Sequence, residues 1–454
     1  MDITNSTPSE KEKTALTERI RNKFRTSITA KLIMIGIVLL LCQIPSAMIN
    51  GLRRDRMRRE KDVEMEIASK WGAAQQITGP MLVVPVQRQR EPDPARPQRP
   101  LVEHSRFHAA PENLRVSGNI IPETRYRGIY EVLLYRSEIT LSGSFPANWT
   151  SLPANDGWIL PGDGATLLLG ISDIKGISSV EVAVDGTVRE VQPGFFKGET
   201  PSNGVLIPLP GLLKRAGEGK EVRFEVRLKL NGCRKLTIYP VGRTTEVNLT
   251  SSWASPSFTG GFLPEKRTVS SSGFSAEWVV NDFNRNCPVS WMGNGTFGSE
   301  HCVGVELVKP VNAYALVERA VSYDLLVCII VLMALLTAER LTRQWVHPLQ
   351  YMVAGLSLIL FYSVLLALSE HIDFNAAYLA GTLIIAALGG FYARLIFGAW
   401  KTALGMVAVT ILSYCVIFVI LRLEDYALLA GSAVLVVLMA VLMAFTGKLN
   451  RLPE

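Results

Sequence analysis

The sequence predicts a polytopic α-helical membrane protein: six transmembrane helices, with a large all-β domain, sandwich-like in outline, inserted between helices 1 and 2. Three observations carry this. Apolar runs of spanning length occur once near the start of the chain and repeatedly after residue 320. Between them lies a long stretch of short alternating segments broken by Gly, Pro and Asn turns. The 454 residues are also 48% hydrophobic and only 19% charged, with a mean hydropathy of +0.23, too apolar for a wholly soluble chain.

Residues 1–31 are polar and of mixed charge and read as a cytoplasmic tail, in which Leu16, Ile20 and Phe24 recur every four residues as in a short amphipathic helix. Residues 32–49, LIMIGIVLLLCQIPSAMI, form transmembrane helix 1, because in lipid every backbone N–H has to be satisfied within the segment. The long leader and the missing A-x-A site argue against a cleaved signal peptide. Residues 50–72 extend this span as a juxtamembrane helix: charges alternate, then Val63, Ile67 and Trp71 fall at i, i+4 and i+8.

Residues 73–320 change character. Short strand-like segments follow one another at 79–86, 130–141, 180–184, 222–230 and 235–239. In VRFEVRLKL (222–230) the alternation is strict: Val222, Phe224, Val226, Leu228 and Leu230 face one way and Arg223, Glu225, Arg227 and Lys229 the other, the mark of a half-buried sheet. Turn residues punctuate the region (Asp185-Gly186, Asn231-Gly232, Gly260-Gly261) with no helical period between. The expectation is an antiparallel β domain, as one body or as two stacked subdomains.

Residues 321–445 return to lipid as a five-helix bundle, with apolar runs at 325–337 (borrowing from 321–338), 349–368, 376–393, 403–421 and 427–445, before a short tail at 446–454. The second of these runs, inside HPLQYMVAGLSLILFYSVLLALSEH (347–371), has the ~20 apolar residues that cross a ~30 Å hydrocarbon core. Lys and Arg gather in the loops at 338–347 and 394–401 and in the tail, while 369–375 has none. By the positive-inside rule both termini are cytoplasmic and residues 50–320 lie outside. The basic segment 53–61 runs against this orientation, but the N-terminal tail is comparably basic and long domains translocate largely regardless of charge.

The chemistry-bearing residues are few. Glu370, His371 and Asp373 at one outer turn and Glu424 and Asp425 at another each precede a small-residue A-x-L-A-G-[ST] face, a pattern suited to close helix packing and an internal repeat. Ionisable residues at membrane depth are functional candidates, although these acids sit at helix ends within reach of water. His371 has the chemistry to titrate near neutral pH. His104 and His108 lack a helix and an H-E-x-x-H motif to make a zinc site, and no cofactor, metal or catalytic constellation stands out. The G-x-G-x-x-G at 293–298 has no surrounding βαβ pattern. Cys42, Cys328 and Cys415 fall in spans as packing residues, whereas Cys287 and Cys302 bracket a loop that a disulfide would staple, leaving Cys233 free or buried. The net charge of +7 lies beside apolar spans and not beside stacking aromatics, which argues against nucleic acid as a partner and for the lipid bilayer.

The long segments HPLQYMVAGLSLILFYSVLLALSEH and SSWASPSFTGGFLPEKRTVSSSGFSAEW (251–278), with weaker stretches such as TGPMLVVPV (78–86), ISDIKGI (171–177) and GVLIPLP (204–210), resemble the CreD family of inner-membrane proteins, also called the cell envelope integrity family. The likeness runs from about residue 33 onward; the polar N-terminus and the Pro-rich insert at 92–100 stand outside it. It implies a Gram-negative inner membrane, a two-component regulon, and roles in envelope integrity, colicin tolerance and the β-lactam response. It supplies no catalytic residues. The expected function is non-enzymatic: a periplasmic β domain binding a protein or envelope component. The alternative is a transporter or ion-coupled channel using the bundle. Oligomeric state stays open.

Overall fold

The structure, a computed structural model, describes residues 28–90, 101–147, 149, 157–160, 162, 164–195, 202–212, 219–285, 288–294, 297, 299–309, 313–423 and 426–449. The amphipathic spacing at Leu16, Ile20 and Phe24, the insert at 92–100, Cys287, Glu424 and Asp425 lie outside the described residues. The chain divides into a helical unit, residues up to 59 with those from 311, and a β unit, residues 60–310.

The helical unit begins with α1 (Ile28–Trp71), a 44-residue helix whose first part belongs to this unit and whose last turns belong to the β unit. Then come a short helix α2 (Ala313–Val321) and the long helices α3 (Asp324–Thr342), α4 (Pro348–Ser369), α5 (Phe374–Phe397), α6 (Trp400–Arg422) and α7 (Ala427–Leu449). Among the described residues, α1, α3, α4, α5 and α6 are long and apolar enough to cross a membrane. Two boundaries differ from the sequence expectation. Residues 313–320, which the sequence places at the end of the β region, form with Val321 a separate helix of the helical unit, because Tyr314, Val317, Ala320 and Val321 at helical spacing bury one face. The next span runs from Asp324 to Thr342: it starts within the expected 321–338 and continues past it through Glu339 and Arg340.

Local chemistry explains how α4 starts. His347 Nδ1 accepts a hydrogen bond from the Leu349 N–H (3.2 Å), the Gln350 side chain accepts one from the His347 N–H (2.8 Å), and Pro348 occupies the first turn, where its missing N–H costs nothing. Along α4, Tyr351, Leu358, Phe361, Tyr362 and Leu365 are buried, while Leu349, Val353, Leu356 and Leu360 are exposed as an apolar lipid-facing stripe. Gly355 lets α1 approach: a Cβ there would meet Cys42 Sγ at 2.9 Å and Val38 at 3.3 Å. Gly381 and Gly431, the glycines of the two A-x-L-A-G faces, lie against Phe361 and Tyr323.

In the β unit the described strands form two sheets. The first has the order β13 (Pro256–Gly260), β17 (Val303–Leu307), β11 (Lys235–Tyr239), β1 (Gln75–Arg90), β5 (Thr166–Ile171), β9 (Asn203–Pro208) and β8 (Gln192–Phe195), with β2 (Leu101–Ala109) on β1 and β16 (Ser290–Met292) on β2. The second runs β14 (Lys266–Ser270), β15 (Gly273–Asn281), β12 (Thr244–Ser251), β3 (Asn113–Arg127), β4 (Tyr130–Phe145), β10 (Val222–Cys233), β6 (Ile177–Val184) and β7 (Thr187–Arg189). One hydrophobic cluster draws on both, from Ile77, Val84 and Leu169 of the first to Leu114, Leu141 and Val226 of the second. The alternation of VRFEVRLKL survives intact: its five apolar residues are buried, and Arg223, Arg227 and Lys229 are exposed.

The antiparallel expectation needs correction. β1 pairs with β11, and β3 with β12, in parallel. Hydrophobic alternation reports which face a residue takes and is silent on strand direction, and here long crossings through the opposite sheet supply the connections that parallel neighbours require. The last turns of α1 cover one end of the second sheet, where Val63, Ile67, Ala68 and Trp71 pack on Val132, Leu134 and Cys233. Arg125 lies 4.0 Å over the Trp71 ring.

Cys233 is buried there, its thiol 3.8 Å from Glu64 Oε1 and 3.6 Å from the Leu133 carbonyl. Burial, reinforced by the Glu64 carboxylate, pushes this thiol up to about 12, so at pH 8 roughly one molecule in 10⁴ carries the reactive thiolate. Iodoacetamide at pH 8 is expected to leave Cys233 unmodified in the folded protein and to alkylate it fully in denaturant, as read by peptide mass spectrometry.

Candidate functional site

Buried charges concentrate in the helical unit, at its two ends. At the first, Glu339 in the last turns of α3 is 6% exposed and has three donors: the Lys31 ammonium of α1 forms an ion pair with Oε1, the Tyr351 hydroxyl donates to Oε2 (2.7 Å), and the Val346 N–H donates to Oε1 (3.2 Å). Lys31 is itself 3% exposed. At the other end, Arg53 of α1 is buried and pairs with Glu318 of α2 at 2.8 Å, while Arg56 lies 3.4 Å from Glu370.

Of the predicted site residues, Glu370, His371 and Asp373 fall at this second end, and the structure gives them unequal surroundings. Glu370 caps the C-terminus of α4; besides Arg56, its Oε1 accepts a hydrogen bond from the Tyr314 hydroxyl at 3.2 Å. Asp373 is exposed and caps α5, accepting from the Asn375 N–H at 3.0 Å. Arg422, at the end of α6, donates to Asn375 Oδ1 at 2.7 Å, which links the turn before α5 to the approach to 424–425. His371 is exposed. Glu370 and Asp373 therefore sit in hydrogen-bonded arrangements that position helix ends.

In the β unit, His104 and His108 both lie on β2, four residues apart along an extended strand, which separates their Cα atoms by ~13 Å. His108 is buried and stacks on Trp291 at 5.0 Å. Cys302 is buried, and burial pushes its thiol up to about 12. A 3₁₀ turn at Ser299–His301 follows the glycine motif at 293–298, in place of the helix a dinucleotide site would need.

Sequence reasoning passed over one further residue. Asp324, in the first turn of α3, is 5% exposed, and its Oδ2 has no hydrogen-bond partner. It lies within electrostatic reach of Cys42 on α1, Cys328 on its own helix and Tyr362 on α4. The Tyr362 hydroxyl is also buried without a partner. The dipole of α3 favours an anion at this position, by at most ~2 kcal/mol. Burying an uncompensated carboxylate costs several kcal/mol, so the dipole does not offset it. The signal available in the sequence was an acidic residue directly preceding an apolar run.

A family model described as "Inner membrane protein CreD" matches residues 27–451. The chain belongs to the CreD family. The curated inner membrane protein CreD of Escherichia coli (strain K12) is 34% identical over 423 residues, covering 92% of each chain. Family and helices together describe a multi-pass inner-membrane protein.

The Lys31–Glu339 pair is open to direct measurement. Lys31→Met, which leaves the Glu339 carboxylate without its cation, is expected to destabilise the folded protein in mild detergent by about 3–5 kcal/mol. The double variant Lys31→Met/Glu339→Gln is expected to recover most of that loss in a thermal-unfolding double-mutant cycle.

Proposed function

We propose that the protein maintains the cell envelope as a non-enzymatic inner-membrane protein. Six helices anchor it, and a sandwich-like β unit on the periplasmic side binds a partner protein or an envelope component. The observation that carries this reading is the match to the CreD family across residues 27–451, which takes in the whole β unit as well as the spans. A unit with its own extensive core is far more than a connection between spans requires. The roles proposed with it are envelope integrity, colicin tolerance, the β-lactam response and control by a two-component regulon.

Several features support the topology. The helix α7 has 23 residues, ~35 Å of rise and enough for a sixth crossing. Arg340 and Arg343 flank the Glu339 end, the end assigned to the cytoplasm. Arg53 and Arg56, part of the basic segment that opposed this orientation, are neutralised by Glu318 and Glu370. That pairing removes part of the conflict.

Two experiments test the reading. A reporter active only in the periplasm is expected to be active when fused after His371 and silent after Arg343; the opposite pattern would reverse the orientation. In a deletion strain, the full chain is expected to restore envelope integrity, measured as colicin and detergent survival, and a chain with residues 75–307 replaced by a short linker is expected to fail. Full rescue by that shortened chain would assign the function to the bundle and favour the transporter class.

A further inference from the structure

The basic segment 53–59 of α1, which lies within the helical unit, is paired selectively. Arg53 is buried against Glu318, and Arg56 lies beside Glu370. Arg54, Arg58 and Arg59 are exposed, and none of the three has an ion pair among the described residues. Arg54 Nε donates to the Asn50 carbonyl at 3.4 Å, which leaves both Nη groups facing outward unpaired. Asp55 is the one acid in the segment, so its exposed and unpaired charges are three Arg less one Asp, a net of two positive. The face that carries Arg54 and Arg58 changes character along the helix. Leu40, Ile44, Gly51, Arg54 and Arg58 recur at spacings of four, seven, three and four residues and so share one side of α1. Leu40 and Ile44 are exposed in a helix long and apolar enough to cross a membrane. Leu52 closes the run of exposed apolar residues that begins at Ile33, and Arg54 follows two positions later. A Cβ at Gly51 would meet nothing within 4 Å, so the space between the apolar and the cationic part of this face is open.

We infer that Arg54 and Arg58 form a binding site for an anionic phospholipid of the phosphatidylglycerol class, its phosphate clamped by the two guanidiniums and its acyl chains lying along Ile44 and Leu40. The two arginines stand one turn apart, ~6 Å along the axis. Like charges at that spacing repel, and a phosphate between them replaces repulsion with two charge-assisted contacts, each able to use the guanidinium fork. Their position just past the apolar run is the level of a lipid phosphate, and flexible stems let both heads reach it. The net positive charge decides the class of headgroup. A phosphate whose charge is uncompensated is attracted by it, whereas the ammonium of an ethanolamine headgroup meets three arginines and one acid. Free phosphate has the charge and lacks the apolar contacts. The site also accounts for part of the basic segment that Glu318 and Glu370 leave unpaired. The inference holds in either orientation of the chain, because phospholipid lines both faces of a bilayer, and whichever partner the β unit binds.

Native mass spectrometry of the full chain in mild detergent, with palmitoyl-oleoyl phosphatidylglycerol or the matching phosphatidylethanolamine added, counts retained lipid. One phosphatidylglycerol is expected to be held, about fivefold more tightly than phosphatidylethanolamine. In Arg54→Gln/Arg58→Gln its affinity should fall about tenfold. Both side chains are exposed and unpaired, so this variant should melt together with the wild type when no lipid is added. Added phosphatidylglycerol should then raise the melting temperature of the wild type and leave that of the variant in place. Should the variant fail to fold, Arg54→Lys/Arg58→Lys keeps both charges and removes both planar forks, and its affinity should fall about threefold. Equal retention of the two lipids by the wild type would overturn the inference, as would an unchanged affinity for phosphatidylglycerol in the folded Gln variant or, in its place, the Lys variant. Displacement of the lipid by millimolar inorganic phosphate would also overturn it, by making the arginines a site for the free anion.

Discussion

Two sets of ion pairs on one helix set the depth of everything else in the helical unit. Lys31 of α1 is held by Glu339 near the end of α3, while Arg53 and Arg56 of the same helix are held by Glu318 and Glu370. Between Lys31 and Arg53 lie 22 residues of helix, ~33 Å of rise, close to the thickness of a bilayer's hydrocarbon core. A sliding motion of α1 by one turn would carry a charge into lipid at one end and break a buried pair at the other. The span is therefore fixed along its axis by electrostatics, while close packing at Gly355 against Cys42 and Val38 fixes its distance from α4.

Much of this architecture was legible in local sequence patterns. Runs of Leu, Ile and Val marked the spans, strict alternation in VRFEVRLKL marked a half-buried strand, and Val63, Ile67 and Trp71 marked a helix face that packs on Val132 and Leu134. What was not legible depends on pairs far apart in the chain. Lys31 reads as one more charge of a basic tail and Glu339 as one more of a polar loop; their burial becomes visible only when 308 residues of separation are closed. The parallel pairings of β1 with β11 and of β3 with β12 are hidden for the same reason. At the candidate site, the acids of the 369–373 turn were conspicuous because they stood alone. Their roles as cap and ion-pair partner follow from Asn375, Tyr314 and Arg56, which no spacing rule connects to them.

Asp324 and Glu339 stand near opposite ends of the same helix and differ in company: both oxygens of Glu339 accept hydrogen bonds, whereas Asp324 Oδ2 is buried without one. Within the bundle, Phe361 packs against Tyr362, Tyr378 and Tyr414, the Phe361 and Tyr414 centroids 4.1 Å apart.

The path of the chain through the first sheet has a consequence for how such a protein is assembled. β1, where the chain arrives, and β17, where it departs, flank β11, and Gln75, Leu236 and Val305 lie in one row across the three strands. The chain leaves this sheet two strands, about 10 Å, from where it came in. Just beyond, Lys309 reaches Glu60 at 3.6 Å, so the two strands of polypeptide are clasped outside the sheet as well. A body with adjacent ends behaves as a cassette: it can be spliced into a connection between two helices, enlarged, or exchanged without altering the span that the connection must bridge.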